Sequence, residues 1–212
     1  MNIIKPSVEI LTPIEADTIM KHLERCGRVC YRSEHRIAEG SAEKFLSGII
    51  KSGHESVLEH YSVTFKVICD RAVSHQIVRH RIASYSQESQ RYCNYTKDGF
   101  QSEITFIQPG FIEPGTMTYS AWERSCRTAE QAYFYLISEG CTPQEARTVL
   151  PNSTKTEIVC TMNIRELRHF LKLRTSKAAD PAIREVAGML LDVLKQKCPV
   201  LFGDIGGENV GT

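Results

Sequence analysis

A chain of 212 residues, 42% of them hydrophobic, is long enough to bury a sizeable core, which sets aside a disordered polypeptide. Lys and Arg number 26 against 25 Asp and Glu, a formal charge of +1, so wholesale electrostatic binding to nucleic acid or an anionic membrane is disfavoured and only a local basic site stays open. No window supplies the roughly 18 apolar residues of a membrane span, the start MNIIKPSVEIL lacks the form of a secretory leader, and the eight cysteines are scattered without a Cys-x-x-Cys pair, so a soluble, reduced, cytoplasmic protein is expected.

In chain order, TPIEADTIMKHLERCG predicts a helix opened by a capping box, Thr12 to Glu15, with Pro13 at its first position and Gly27 after its last turn. A second helix is expected over Ser41 to Lys51. YSVTFKVIC alternates Tyr61, Val63, Phe65, Val67 and Cys69 with mostly polar partners, the period of a half-buried strand, and Asp70 then caps a helix over RAVSHQIVRHR. ITFIQP reads as a short strand and MTYSAWERSCRTAEQAYFYLISEG as a long amphipathic helix closed by Gly140. Thr142 to Glu145 forms another capping box, TKTEIVCTM a strand, Asn163 and Glu166 a cap for IRELRHFLKLR, and Asp180-Pro181 the start of a last helix to about Lys197. The end GDIGGENVG precedes no helix, so residues 201–212 read as a flexible tail and not as a phosphate loop. Strands and helices without regular β-α-β alternation point to the α+β class: a single compact domain over residues 1–200, with a mixed sheet flanked by helices in an irregular α/β organisation.

The densest chemistry lies in RHRIASYSQESQRY, Arg79 to Tyr92. On a helix, Arg79, His80 and Arg81 would fan about 100° apart, suiting separate groups of an extended anion or two anions side by side. Arginine without lysine suits bidentate contact with phosphate or carboxylate oxygens, and Ser84, Ser86, Gln87, Ser89 and Gln90 add neutral donors. Two other readings stay open: cations at a helix C-terminus that simply face water, and an RNA-binding or regulatory nucleotide-binding module in which Tyr85, Tyr92 and Tyr95 stack on bases. No metal is expected. His75 and His80 lie five apart, about 140° around a helix, and Cys26 with Cys30 has no second pair nearby. A Gly-x-Gly-x-x-Gly dinucleotide fingerprint is also missing.

Arg79-His80-Arg81 followed by Ser84, Ser89, Arg91 and Tyr92 resembles the signature of the flavin-dependent thymidylate synthases. RVCYRSE near residue 30, GHESVLEH (53–60), ARTVLP (146–151), NIRELRHFLKLR (163–174) and KQKCP (195–199) are similar to family segments in the same order, so the resemblance covers residues 1–200. It implies methylation of deoxyuridylate (dUMP) to thymidylate (dTMP), with methylenetetrahydrofolate as carbon donor and NADPH as reductant through bound FAD. It also implies a homotetramer with active sites shared between subunits, and no nucleic-acid or membrane partner. By the same resemblance, FAD is held by Ser56, Arg79, His80, Arg81, Gln87, Asn163, Ile164, Arg165 and His169, with His54 near the flavin or the folate. Deoxyuridylate would lie against Gln76, Ile77, Val78 and Arg79, against Gln87, Glu88, Ser89, Gln90 and Arg91, and against Arg147 and Arg174. Arg174 would be the catalytic residue, its guanidinium stabilising charge that develops on the uracil ring.

The family chemistry needs no protein nucleophile, since reduced flavin supplies a hydride. In keeping with that, Ser89 belongs to no Ser-His-Asp pattern and is assigned to positioning. The proline-cysteine order of the classical thymidylate synthases is reversed here in Cys198-Pro199. Four positions depart from residues seen in the family: Ser86-Gln87 stands where some relatives show Asn-Glu, His169 where asparagine is frequent, and Cys30 where some have serine.

Overall fold

The computed structural model describes residues 1–96 and 102–206. It has the α+β class expected from the sequence, and the chain divides into two compact units, neither continuous in sequence. The first comprises Met1–Ser7, Val67–Arg79 and Tyr85–Val159, and the second Val8–Lys66, His80–Ser84 and Cys160 onward.

In the first unit, β1 (Asn2–Ile4) pairs in parallel with β5 (Thr105–Ile107), Ile3 opposite Phe106. A core of Tyr95, Ile104, Phe106, Cys126, Tyr133 and Ala146 is closed by the long helix α4 (Met117–Ser138). Thr116 caps α4 by accepting the Tyr119 N–H, and the chain leaves the helix through Gly140 at φ 91°, a left-handed conformation that glycine adopts without a Cβ penalty. The Thr142–Glu145 capping box forms as expected at the head of α5 (Pro143–Ala146).

In the second unit, α1 (Ala16–Arg28) packs on α2 (Ser41–Lys51), and α6 (Ile164–Arg174) packs on both the 3-10 helix Glu55–His60 and α7 (Pro181–Lys197). Leu23, Leu46, Leu58, Leu167, Phe170 and Leu190 are buried between them. Strands β3 (Ser62–Asp70) and β6 (Lys155–Asn163) each run through both units, in a sheet of order β2-β3-β6-β4 with β2 at Ser7–Ile10 and β4 at Ala83–Gln87. At three to five residues, β1, β2 and β4 are too short for a period of two to announce them.

Four local expectations are corrected. Helix α1 begins only at Ala16, with no side-chain cap, because the Thr12 hydroxyl instead accepts the Thr64 N–H at 2.8 Å. Gly27 lies inside α1 and does not end it. A Cβ there would sit 2.7 Å from the Phe45 ring of α2, so the glycine permits a close helix approach. Helix α3 (Arg71–Ile77) opens as expected on the Asp70 side chain but stops before the Arg-His-Arg run, with Val78 as its C-terminal cap. The tail does not start at 201: Leu201 and Phe202 of α8 (Pro199–Phe202) and Ile205 in the turn after it are buried, and Arg168 of α6 donates to the Leu201 carbonyl and to Asp204. Residues 207–212 lie outside the described residues. Among the described residues no helix is long and apolar enough to cross a membrane.

Candidate active site

The second unit gathers one group of titratable side chains around α6. At the end of β6, Asn163 caps α6 by accepting the Glu166 N–H at 2.8 Å. The expected reciprocal half of that cap does not form, because the Glu166 carboxylate turns to His80, whose Nδ1 lies 2.9 Å from Oε1. On the other edge of the same ring, Arg174 Nε donates to His80 Nε2 at 3.2 Å. The Phe170 ring meets His80 in a T-shaped contact at 5.0 Å between centroids, and the His169 ring lies 5.5 Å away.

The Arg-His-Arg run lies in the turn and link between α3 and β4, and its side chains alternate in burial. His80 is 5% exposed while Arg79 and Arg81 face solvent, so the histidine serves the interior and the two arginines are the cations a ligand could meet. Burial holds His80 below the usual imidazole range. The Arg174 charge acts in the same direction, and the Glu166 hydrogen bond opposes both without overcoming them.

Beside this group lies a cleft of about 410 Å³ lined by Glu55, Glu59, Ile82, Asn163, Arg165, Glu166 and His169, within the size range of small-molecule and cofactor sites. Each lining carboxylate has a positive or imidazole partner: Glu59 pairs with Arg165 at 2.5 Å, Glu55 with Arg168 and Lys172 at 3.5 Å, and Glu166 with His80. The cleft is therefore not a net acidic hole, and its polar groups supply donors for phosphate or carbonyl oxygens and acceptors for hydroxyl or amino groups. His80, Glu166 and His169 bring possible metal-ligand atoms within 4.8 Å of one another. Both His80 nitrogens are already hydrogen-bonded, one of them to a guanidinium, so a cation there would break a bond and face a like charge.

Most of the expected FAD contacts fall in the second unit: Ser56, His80, Arg81, Asn163, Ile164, Arg165 and His169, together with His54. Ser56, His54, Arg165 and His169 are exposed. The Ile164 side chain is buried in the core and its N–H is given to Tyr61 O. Arg174 lies in the same unit.

The remaining expected residues, Gln76, Ile77, Val78, Arg79, Gln87, Glu88, Ser89, Gln90, Arg91 and Arg147, lie in the first unit. There Gln87 is a bridge, its Nε2 donating to Ser74 at 2.9 Å and Thr156 at 3.2 Å. Glu88 pairs with Lys155 at 3.1 Å. The Arg91 Nε donates to Gln144 at 3.1 Å, which ties the end of the motif to α5, one residue before the start of the 3-10 turn that opens on the exposed Arg147. Ile77 is buried in the core.

Sequence reasoning missed Glu55, Glu59 and Ile82 as lining residues and Glu166 as the partner of His80. For Glu166 the only local signal was its place three residues after Asn163, which points to a cap and away from a partner 86 residues distant.

A family model described as "Thymidylate synthase complementing protein" matches residues 15–200. A flavin-dependent thymidylate synthase of Geobacter sulfurreducens is 40% identical over 186 residues, spanning 84% of this chain and 78% of that one. One of Pyrococcus furiosus is 39% identical over 186 residues, spanning 87% and 75%, and one of Nitratidesulfovibrio vulgaris is 33% identical over 222 residues, spanning 96% and 88%. Among solved structures, the UMP/dUMP methylase PolB of Streptomyces cacaoi bound with 5-Br dUMP matches with a TM-score of 0.78 at 25% identity, over 96% of each chain. With a family model spanning most of its length and relatives near 40% identity, the chain belongs to the flavin-dependent thymidylate synthase family.

Proposed function

We propose that this enzyme methylates deoxyuridylate to thymidylate reductively, with the carbon taken from methylenetetrahydrofolate and reducing equivalents from NADPH through FAD. Family membership supports the overall reaction. The observation that carries the reading at the level of residues is that His80, at the centre of the signature, meets Arg174 at 3.2 Å beside the cleft bordered by Asn163, Arg165 and His169.

The donor set suits FAD. Arg81 and Arg165 are exposed cations for a pyrophosphate, Asn163 and His169 can bond ring carbonyl and nitrogen atoms, and Glu55 and Glu59 can accept from ribose hydroxyls or an adenine amino group. When bound and reduced, FAD supplies the hydride that completes the methyl group. Arg174 then orients the pyrimidine and stabilises negative charge developing on it. In the first unit, Arg91 and Arg147 are exposed cations for the nucleotide phosphate.

Two buried thiols and Ser89 are poor candidates for a protein nucleophile. Burial pushes the Cys160 thiol up to about 12 and holds Cys198 above its ordinary value, so neither offers a thiolate at neutral pH. The Ser89 hydroxyl accepts the Arg91 N–H at 3.3 Å, and among the described residues no side-chain base is hydrogen-bonded to it. Assembly with other copies is supported by large apolar side chains left uncovered on the chain, with Val29 at 62%, Tyr31 at 81% and Met117 at 85% exposure.

The test is anaerobic. Purified protein is loaded with FAD and reduced with NADPH, then given deoxyuridylate and methylenetetrahydrofolate while flavin absorbance and thymidylate are followed. Thymidylate formed together with flavin reoxidation is the expected result. A reducible bound flavin that yields no thymidylate would overturn the reading.

A further inference from the structure

Two features of the second unit combine into one inference. The first is a donor that cannot change roles: Arg174 Nε always carries a hydrogen, so at 3.2 Å the His80 Nε2 facing it must offer a lone pair. A neutral imidazole that accepts through Nε2 carries its proton on Nδ1. The second is that an acceptor waits for that proton, the Glu166 carboxylate at 2.9 Å. The two contacts, 94 and 86 residues apart in sequence, therefore demand the same tautomer. Phe170 makes a T-shaped contact with the ring and His80 is 5% exposed, so the imidazole is held by packing as well as by its bonds.

We propose that Glu166, His80 and Arg174 form a positioning chain: Glu166 fixes His80 as the Nδ1–H tautomer, and His80 Nε2 in turn holds the Arg174 guanidinium in the plane in which it meets the pyrimidine ring. Glu166 is thereby a positioning residue for the reaction, acting through His80 and not on the nucleotide itself. This rests on the reading of Arg174 as the residue that meets deoxyuridylate. Among the described residues, the charged and titratable side chains facing His80 include Glu166, His169 and Arg174, all from α6. A second proton on His80 would put an N–H against the Arg174 Nε–H, break that bond and add like charge, so the chain is intact only while His80 is neutral. Burial keeps it so at neutral pH.

The arrangement is tested in two arms on the full chain. In the first, nitrogen NMR of histidine-labelled protein, with the His80 signals identified by their loss in His80→Gln, reads the tautomer without turnover. A protonated Nδ1 and an unprotonated Nε2 at pH 7 are expected, and a protonated Nε2 overturns the chain. In the second, Glu166→Leu, which removes the acceptor, lowers kcat/KM for deoxyuridylate on the order of 10²-fold, the scale of a misplaced catalytic group, whereas Glu166→Gln, which keeps an acceptor, restores most of it.

Because the amide lacks the charge that supports the imidazolium, Glu166→Gln also moves the acid limb of the kcat/KM profile to lower pH, which a purely structural role would not do. An unmoved limb, or equal losses in Leu and Gln variants, overturns the role of Glu166. A wild-type protein that makes no thymidylate overturns the role given to Arg174 together with the functional reading, while the nitrogen spectra still decide the hydrogen-bond chain.

Discussion

Arg168 is fully buried in the second unit, and its two terminal nitrogens meet the two carboxylate oxygens of Asp204 at 2.7 Å each. This fork-to-fork pair ties α6, which carries His169 and Arg174, to the residues that follow α8. Burial on its own would raise the Asp204 carboxyl, but the Arg168 bond and charge outweigh it and hold the group below its usual range. Asp204→Asn should lower stability by about 2 kcal/mol. That is less than a fully buried pair would cost, because the Asp204 side chain is 46% exposed and Glu55 still lies 3.5 Å from Arg168. Denaturant titration of both proteins checks this, and an unchanged midpoint would reduce the clasp to a surface contact.

The pH dependence of folding follows from His80. Its folded pKa is depressed, so the unfolded chain takes up the proton first, and folding stability falls as pH drops below the ordinary histidine value of about 6.5 and levels off below the folded value. Asp204, also depressed, adds a second loss at lower pH, beginning near the ordinary carboxyl value and running down through its folded one. Thermal unfolding followed from pH 7.5 to pH 4 should show the first decline in the wild type and a shallower one in His80→Gln. Equal slopes in the two proteins would contradict the assignment.

Two arginines should separate binding from turnover. Arg81 is exposed, so Arg81→Ala should leave stability within about 0.5 kcal/mol while purified protein carries less FAD, read as the ratio of flavin to protein absorbance. Arg174→Ala forfeits its bond to His80 at a cost of about 1 kcal/mol. It should retain flavin and lose turnover by roughly 10²–10³-fold, as when one electrostatic donor is removed from a reacting site. Thymidylate formation near the wild-type rate in Arg174→Ala would sink its catalytic role.

The thiols should react in a fixed order. Cys30 is exposed, whereas Cys69, Cys126, Cys160 and Cys198 are buried, and burial pushes Cys126 up to about 11 and Cys160 up to about 12. Labelling with an aromatic disulfide at pH 8, followed by peptide mass spectrometry, should modify Cys30 first and the four buried thiols only in denaturant. Early loss of Cys160 would mean that its strand opens locally.

Local features of the sequence determined a good deal of this protein. The bounds of α2, the alternation of β3, the Asp70 and Asn163 caps, the Thr142–Glu145 box and the Asp180-Pro181 opening of α7 all stand in the structure, because capping and hydrophobic period are settled by side chains within a few residues of one another. The Arg-His-Arg signature likewise pointed to the family before any coordinates.

What only the tertiary structure decided depends on residues far apart in the chain. Gly27 looked like a helix stop until Phe45 was seen to press against it, and residues 201–206 read as part of a flexible tail until Arg168 was seen to hold Asp204. The three basic residues looked like a helical fan, yet the chain leaves α3 and extends into β4, turning His80 inward and its two neighbours out. Glu166 looked like half of a cap because hydrogen-bond partners 86 residues away leave no mark on local pattern. Only folding sets a buried imidazole between that carboxylate and the Arg174 guanidinium, where each must satisfy the other.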